Sequence, residues 1–285
     1  MALDPTEIAR LNVLGDRLKR IQVEYSISRE STPVNLATER ERVTEAIARG
    51  QVLVPEFRYR DAEDSSTALV SEASDLLRSS AASSTDWDTL VHEEVRLHLR
   101  WLDAIRTHDP DVISSLTLSR FGAPTPALVN LAEAIVAAPV PEADTEGALS
   151  ASEAADEFGR VLEESGLSDW AVKVVDDLHA RVAVNSHART LRLSGTARFS
   201  RIAVERLVVH EVGTHILRAT NGERQRLRLL ALPLGTSEPT EEGLAVLNEA
   251  RAGLLDARDL RKYALRTLAA AWSCHAGFTE VVERL

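Results

Sequence analysis

The chain has 285 residues, 44% of them hydrophobic and 27% charged, which excludes a disordered or fibrous protein and allows a sizeable core. Lys and Arg number 33 against 44 Asp and Glu, and the net charge of −11 weighs against nucleic acid or an acidic membrane surface as a partner. A single cysteine, Cys274, excludes an intrachain disulfide and a thiolate zinc cluster. No apolar run reaches the roughly 18 residues of a membrane helix. Acidic residues stand where a signal peptide needs a basic head. The expectation is a cytoplasmic chain.

Along the first half, Leu11, Leu14, Leu18 and Ile21 recur at the spacing of an amphipathic helix. QVLVPEFRYRD (51–61) reads as irregular, because Pro55 breaks any helix there. Amphipathic stretches follow near 66–80, 86–107 and 125–137, the last after a loop marked by Gly122, Pro124 and Pro126. Within them VHEEVRLH (91–98) holds two histidines and a glutamate, but the histidines are six apart, and it reads as a solvated face. The Ala-, Pro- and acid-rich stretch 138–152 marks a boundary between a helical N-terminal region, 1–145, and a second unit, 146–285. There SASEAADEFGRVLEESGL reads as a helix closed by Gly166. WAVKVVDD, RVAVN and RTLRLS read as short strands, at least one pair forming a hairpin. A long helix should start near Ser200, and a second near Thr240 should run past Trp272. The fold class expected is α+β: a helical N-terminal region, then a unit with a small antiparallel sheet and two long helices.

The chemistry concentrates in LVVHEVGTHILRATNG (207–222). Two histidines flanking a glutamate on a helix form the metallohydrolase arrangement, with the imidazoles holding Zn²⁺ and the glutamate acting on water. Here His210 and His215 are five apart rather than four. In a regular α-helix five steps leave the two rings roughly 140° apart, too far round to share one ion. In a π-turn of about 4.4 residues the same five steps return to within roughly 50°. The spacing therefore predicts a helix widened around 212–214, where Gly213 makes distortion cheap.

A third ligand is needed, and SEPTEEGLAVLNEA (237–250) offers Glu242 at the start of a helix. Glu241 and Glu242 would also suit a helix N-terminus simply as acids against its dipole. Glu249, seven residues after Glu242, is placed to accept the other ring N–H of a ligating histidine or to be an ordinary helical acid.

HEVGTHILRATNG followed by TEEGLAVLNE resembles the family of zinc metallopeptidases that includes the microtubule-associated tyrosine carboxypeptidases, whose bacterial members carry a QEGLA motif. Weaker similarity in VPEFRYRD (54–61), SRFGAPTPALVNLA (119–132) and DLHARVAV (177–184) spreads the resemblance over most of the chain. The resemblance implies His210, His215 and Glu242 as ligands of one Zn²⁺ ion and Glu211 as the catalytic base. EGLAxxxE is also similar to the EGFAxxxE segment of gluzincin aminopeptidases, which favours Glu242 over Glu241 as the ligand. Members of the family usually continue past this helix, so the resemblance suggests a catalytic unit that is short at its C-terminal side, as a natural short form or a fragment.

The function expected is hydrolysis of a peptide bond near a peptide or protein C-terminus. Two alternatives stand beside it: a metal-dependent hydrolase of a small amide in peptide-natural-product maturation, and a non-catalytic regulator that keeps the fold. The intact Glu211 argues against the regulator. Arg181 and Arg218 are candidates for gripping a terminal carboxylate, since a guanidinium matches its two oxygens. The strand in RTLRLS is a candidate for pairing with the substrate backbone. Tyr263 and His179 are candidates for assisting at the oxyanion.

Overall fold

Leu11, Leu14, Leu18 and Ile21 line the buried side of a helix, Pro5–Glu24, whose first-turn amides of Thr6 and Glu7 are capped by Asp4. The computed structural model describes residues 4–24, 30–60, 65–81, 85–107, 109–140 and 149–285. They divide into two units, one drawn from Met1–Lys19 and Pro141–Asp256, the other from Arg20–Val140 and Ala257–Leu285.

The second of these units is helical. The helices Ser65–Ala81 and Asp86–Thr107 pack together, as do Pro126–Ala137 and Ala257–Ser273, the latter pair around Ala132, Ala264 and Leu268. VHEEVRLH corrects the expectation of a solvated face. Val91, Glu94, Val95, His98, Trp101 and Leu102 fall on one stripe three or four apart, and all are buried. Burial holds the His98 imidazole below its usual pKa, so it sits there as a neutral core residue. Three described helices, Leu36–Ala48, Pro110–Phe121 and Phe278–Arg284, were not foreseen. The second begins on an Asp109 cap with Pro110 at its first turn, while its apolar residues Val112, Ile113, Leu116, Leu118 and Phe121 do not form a single stripe.

The other unit carries the motifs. Ser150 and Glu153 close a capping box at the head of Ala151–Glu164, and Gly166, at φ 68°, ends it. Ala171–Val175, Val182–Asn185 and Thr190–Ser194 form a three-stranded sheet, and the short strands Leu149–Ser150 and Arg198–Phe199 pair separately. The α+β class holds, and the three-stranded sheet is mixed. Val182–Asn185 and Thr190–Ser194 form the antiparallel hairpin, whereas Ala171–Val175 runs parallel to Thr190–Ser194. Thr190–Ser194 is the central strand, with both edges already paired, so it has no edge to offer a substrate. That is why four of its five residues are buried. The outer strand Val182–Asn185 lies against the helix that carries the histidines.

Phe158, Leu162, Leu191, Leu193, Phe199, Val212 and Ile216 join one core, so the same helix that presents the histidines also anchors them beneath the sheet. The helix expected to run from Thr240 past Trp272 is instead two. Glu238–Arg251 stops where Gly253 takes φ 71°, with Leu254 N–H bonded to Glu249 O and Gly253 N–H to Ala250 O. This paired closure is a Schellman motif, and Ala257–Ser273 starts afresh in the other unit.

Gly222 is the glycine this unit depends on. A Cβ there would lie 2.2 Å from the carbonyl oxygen of Leu230, because the short 3₁₀ turn Arg228–Ala231 passes directly over it. Gly222→Ala should therefore lower the unfolding free energy by about 1–3 kcal/mol, the usual cost of overpacking. Denaturant melts of the two proteins would show it, and coincident curves would mean the turn yields without cost.

Candidate metal centre

Ser200 caps a helix, Arg201–Leu207, that runs into a nine-residue π-helix, Val208–Ile216, and continues as Leu217–Glu223. The widening that the five-residue spacing demands is present. Its hydrogen bonds reach five residues back, as when Leu217 N–H donates to Val212 O. Gly213 is not what enforces it: its φ is not positive, and a Cβ would meet nothing nearer than Val208 O at 3.8 Å. Thr214 contributes instead, its hydroxyl donating to Val209 O at 3.4 Å and accepting from Asn248 Nδ2 at 3.1 Å. Asn248 belongs to Glu238–Arg251, so this bond ties the EEGLA helix to the π-turn.

With the helix widened, the two imidazole rings stand 5.2 Å apart between centroids. The Nε2 atoms of both face the carboxylate of Glu242, at 3.7 Å for His210 and 3.5 Å for His215. One ligand atom from each of the three residues lies within 4.8 Å of the others, the one such grouping among the described residues. Donors at the usual zinc distances of about 2.0–2.1 Å in a tetrahedron are separated by about 3.3 Å, close to the two separations from Glu242. Two imidazoles and one carboxylate are also the donor set of open, catalytic zinc sites. Glu242 is half exposed, which leaves the fourth side of the triad toward solvent.

The Nδ1 atoms point the other way, and each meets a carboxylate. Glu249 Oε1 lies 2.6 Å from His210 Nδ1, and Glu241 Oε1 lies 2.8 Å from His215 Nδ1. Glu249 therefore stands where the sequence allowed, against a ring nitrogen that does not face Glu242. Glu241 is more than an acid at a helix N-terminus, and sequence reasoning missed its histidine partner. The signal was its position next to Glu242: consecutive residues diverge by about 100° around a helix, so one faces the Nε2 side and the other the Nδ1 side.

Glu211 sits between the histidines and is buried. Burial raises its pKa, an effect that the nearby imidazoles His210 and His215 oppose. Burial would lower the histidines, but the carboxylates of Glu242, Glu211 and Glu249 outweigh it and push His210 up to about 9. His215 is raised against the same burial effect, chiefly by Glu241.

The remaining candidates have other partners or positions. Arg218 pairs with Glu241 at 3.0 Å and donates to the carbonyls of Ala231 and Leu232. Arg181 stacks over the Phe199 ring at 4.6 Å and donates to Arg198 O. His179 is exposed in the segment between Ala171–Val175 and Val182–Asn185, and Tyr263 is on Ala257–Ser273 in the other unit. A cavity of about 600 Å³ in the same unit is lined by Glu153, Glu157, Arg160 and Arg201 and by Val208 and Val209 of the π-helix, among others, and none of the three ligand-type residues lines it.

Residues 47–283 match the family model described as "Microtubule-associated tyrosine carboxypeptidase". No curated protein and no solved structure matches the chain. The matched span covers most of the sequence and includes every residue of the histidine–glutamate cluster, so the chain belongs to the microtubule-associated tyrosine carboxypeptidase family, a family of peptidases.

Proposed function

We propose that this protein is a zinc-dependent carboxypeptidase acting at the C-terminus of a peptide or protein in the cytoplasm. The observation that carries the zinc reading is the convergence of His210 Nε2, His215 Nε2 and Glu242 on one point while both Nδ1 atoms are tied back. The exopeptidase reading rests on the family. The cytoplasmic setting agrees with a chain holding only Cys274 and, among the described residues, no helix long and apolar enough to cross a membrane.

His210, His215 and Glu242 would hold the ion, which when bound supplies Lewis acidity to a water and to the developing oxyanion. Glu211 receives the water's proton on its carboxylate and returns it to the leaving amine. Its place in the sequence between the two ligand histidines and its burial support this role. The free edge of Val182–Asn185, beside the π-helix, is where an extended substrate would pair its main chain.

Glu211→Gln should keep the fold and one equivalent of zinc yet lose about 10²–10⁴-fold in turnover, because an amide cannot accept the proton. Metal content by atomic emission and hydrolysis of a peptide panel would check it; undiminished turnover would assign the base elsewhere. Peptides with a free C-terminus should be cut and their C-terminal amides spared. Equal cleavage of both would make the enzyme an endopeptidase.

Zinc must also displace a proton from His210, whose pKa near 9 means the metal-free ring is charged at neutral pH. A raised pKa favours the folded, metal-free protein fully below the unfolded value of 6.5, and that contribution is lost as pH rises through about 9. Zinc affinity should run the opposite way, tightening from pH 6.5 to pH 9. A competition titration that is flat across this window would mean the ring is already neutral.

A further inference from the structure

Both histidines are held through a second layer that mirrors itself about the π-turn. Arg206 stands four residues before His210, and Arg218 three residues after His215. Glu249 places Oε1 on His210 Nδ1 and Oε2 on Arg206 Nη1, the latter at 3.0 Å. Glu241 places Oε1 on His215 Nδ1 and Oε2 beside Arg218 Nε, also at 3.0 Å. We propose that Arg206 and Arg218 are positioning residues of the metal centre, each orienting one histidine through one glutamate. This rests on the zinc reading of the same cluster.

An imidazole can present either nitrogen, and the bond made by one decides what the other offers. A carboxylate can fix that choice only if it is itself fixed. Here each carboxylate has one oxygen on a ring and the other on a guanidinium, so it cannot turn without losing a charge-assisted contact. Arg218 is in turn pinned to backbone, donating to Ala231 O at 2.8 Å and Leu232 O at 3.2 Å. Those carbonyls belong to the chain that crosses Gly222. Arg206 is nearly buried, and Glu249 is wholly so.

Stability alone is a weak reason for this arrangement. A buried ion pair gains little over well-packed apolar side chains of the same volume. Two ion pairs, one buried and one partly buried, each end on the Nδ1 of one of the two histidines that face Glu242. Lysine would not substitute fully: its point charge cannot span Glu241 and two carbonyls as the planar fork of Arg218 does.

The test uses the full chain as Arg206→Met, Arg218→Met, the two Arg→Lys variants, Glu241→Gln and a control, Arg189→Met. The control removes an ion pair to Asp169 and Glu223 in the same unit. Zinc affinity is read by competition with a chromogenic chelator, ligand geometry by visible absorption of the cobalt-loaded protein, and folding by circular dichroism. Arg206→Met and Arg218→Met should weaken zinc about 10–100-fold and change the cobalt bands, with lysine restoring part of the loss and the control unchanged. Wild-type affinity and cobalt spectrum in both methionine variants would overturn the assignment. Should a methionine variant fail to fold, the lysine variants and Glu241→Gln decide it on the same readouts. A wild-type protein that takes up no zinc would instead overturn the functional reading itself.

Discussion

Five residues separate His210 from His215, and an α-helix cannot bring side chains at that spacing to one side. The chain resolves this by opening nine residues into a π-helix, and the rest of the site is arranged around that distortion. A π-turn is rarely stable by its own geometry. The segment is clamped at both ends by ordinary helix, buried along one side by Val212 and Ile216, and cross-tied by Thr214 to Asn248. Each restraint belongs to a different element, so local strain is held by tertiary structure.

Two helices divide the work. One carries both histidines, the buried glutamate and both arginines; the other carries the facing carboxylate and the two that restrain the rings. The two helices pack together, and Ala245 and Glu249 are the buried residues of the EEGLA helix. A third element supports the pair from outside. The turn at Arg228–Ala231 reaches Arg218 only because Gly222 has no side chain, and the N-terminal helix docks on the same turn through Asn12 and the close approach of Gly15 to Leu229.

The legibility of the site in the sequence follows the range of the forces involved. His210, Glu211 and His215 declared themselves through spacing alone, and the π-widening followed from the angle arithmetic. Glu249 was legible as a helix-face relation to Glu242. The partner of Glu241 was not, because telling a dipole-complementing acid from a histidine partner needs the crossing angle of two helices. Arg218 suggested a substrate grip because its type suits carboxylates; it does bind one, that of Glu241. In the fold, helices with a single apolar stripe were readable, and Pro110–Phe121, without one, was not. Glu94 and His98 show that polar residues on an apolar stripe follow the stripe inward. The parallel pairing of Ala171–Val175 with Thr190–Ser194 was beyond reach, since alternation gives a strand its faces and not its neighbours.

The charge count of the cluster explains why its titration and its proposed metal belong together. Glu211, Glu241, Glu242 and Glu249 bring four carboxylates around two imidazoles, and Arg206 and Arg218 offset two of them. The shortfall is two positive charges in a partly buried space, where uncompensated charge is costly. Without an ion the shortfall is met by protons on the imidazoles, which is why both histidines are raised despite burial that would lower them; Glu211 is raised chiefly by its own burial. A dication would supply the same two charges at the point where both Nε2 atoms and Glu242 converge, and would leave the histidines neutral, as metal ligation requires. The arginines thus do more than orient. By pairing with Glu241 and Glu249 they offset those two charges and leave the remaining deficit centred on the triad; against its burial, Glu241 is held below the usual carboxylate range by His215 and then by Arg218.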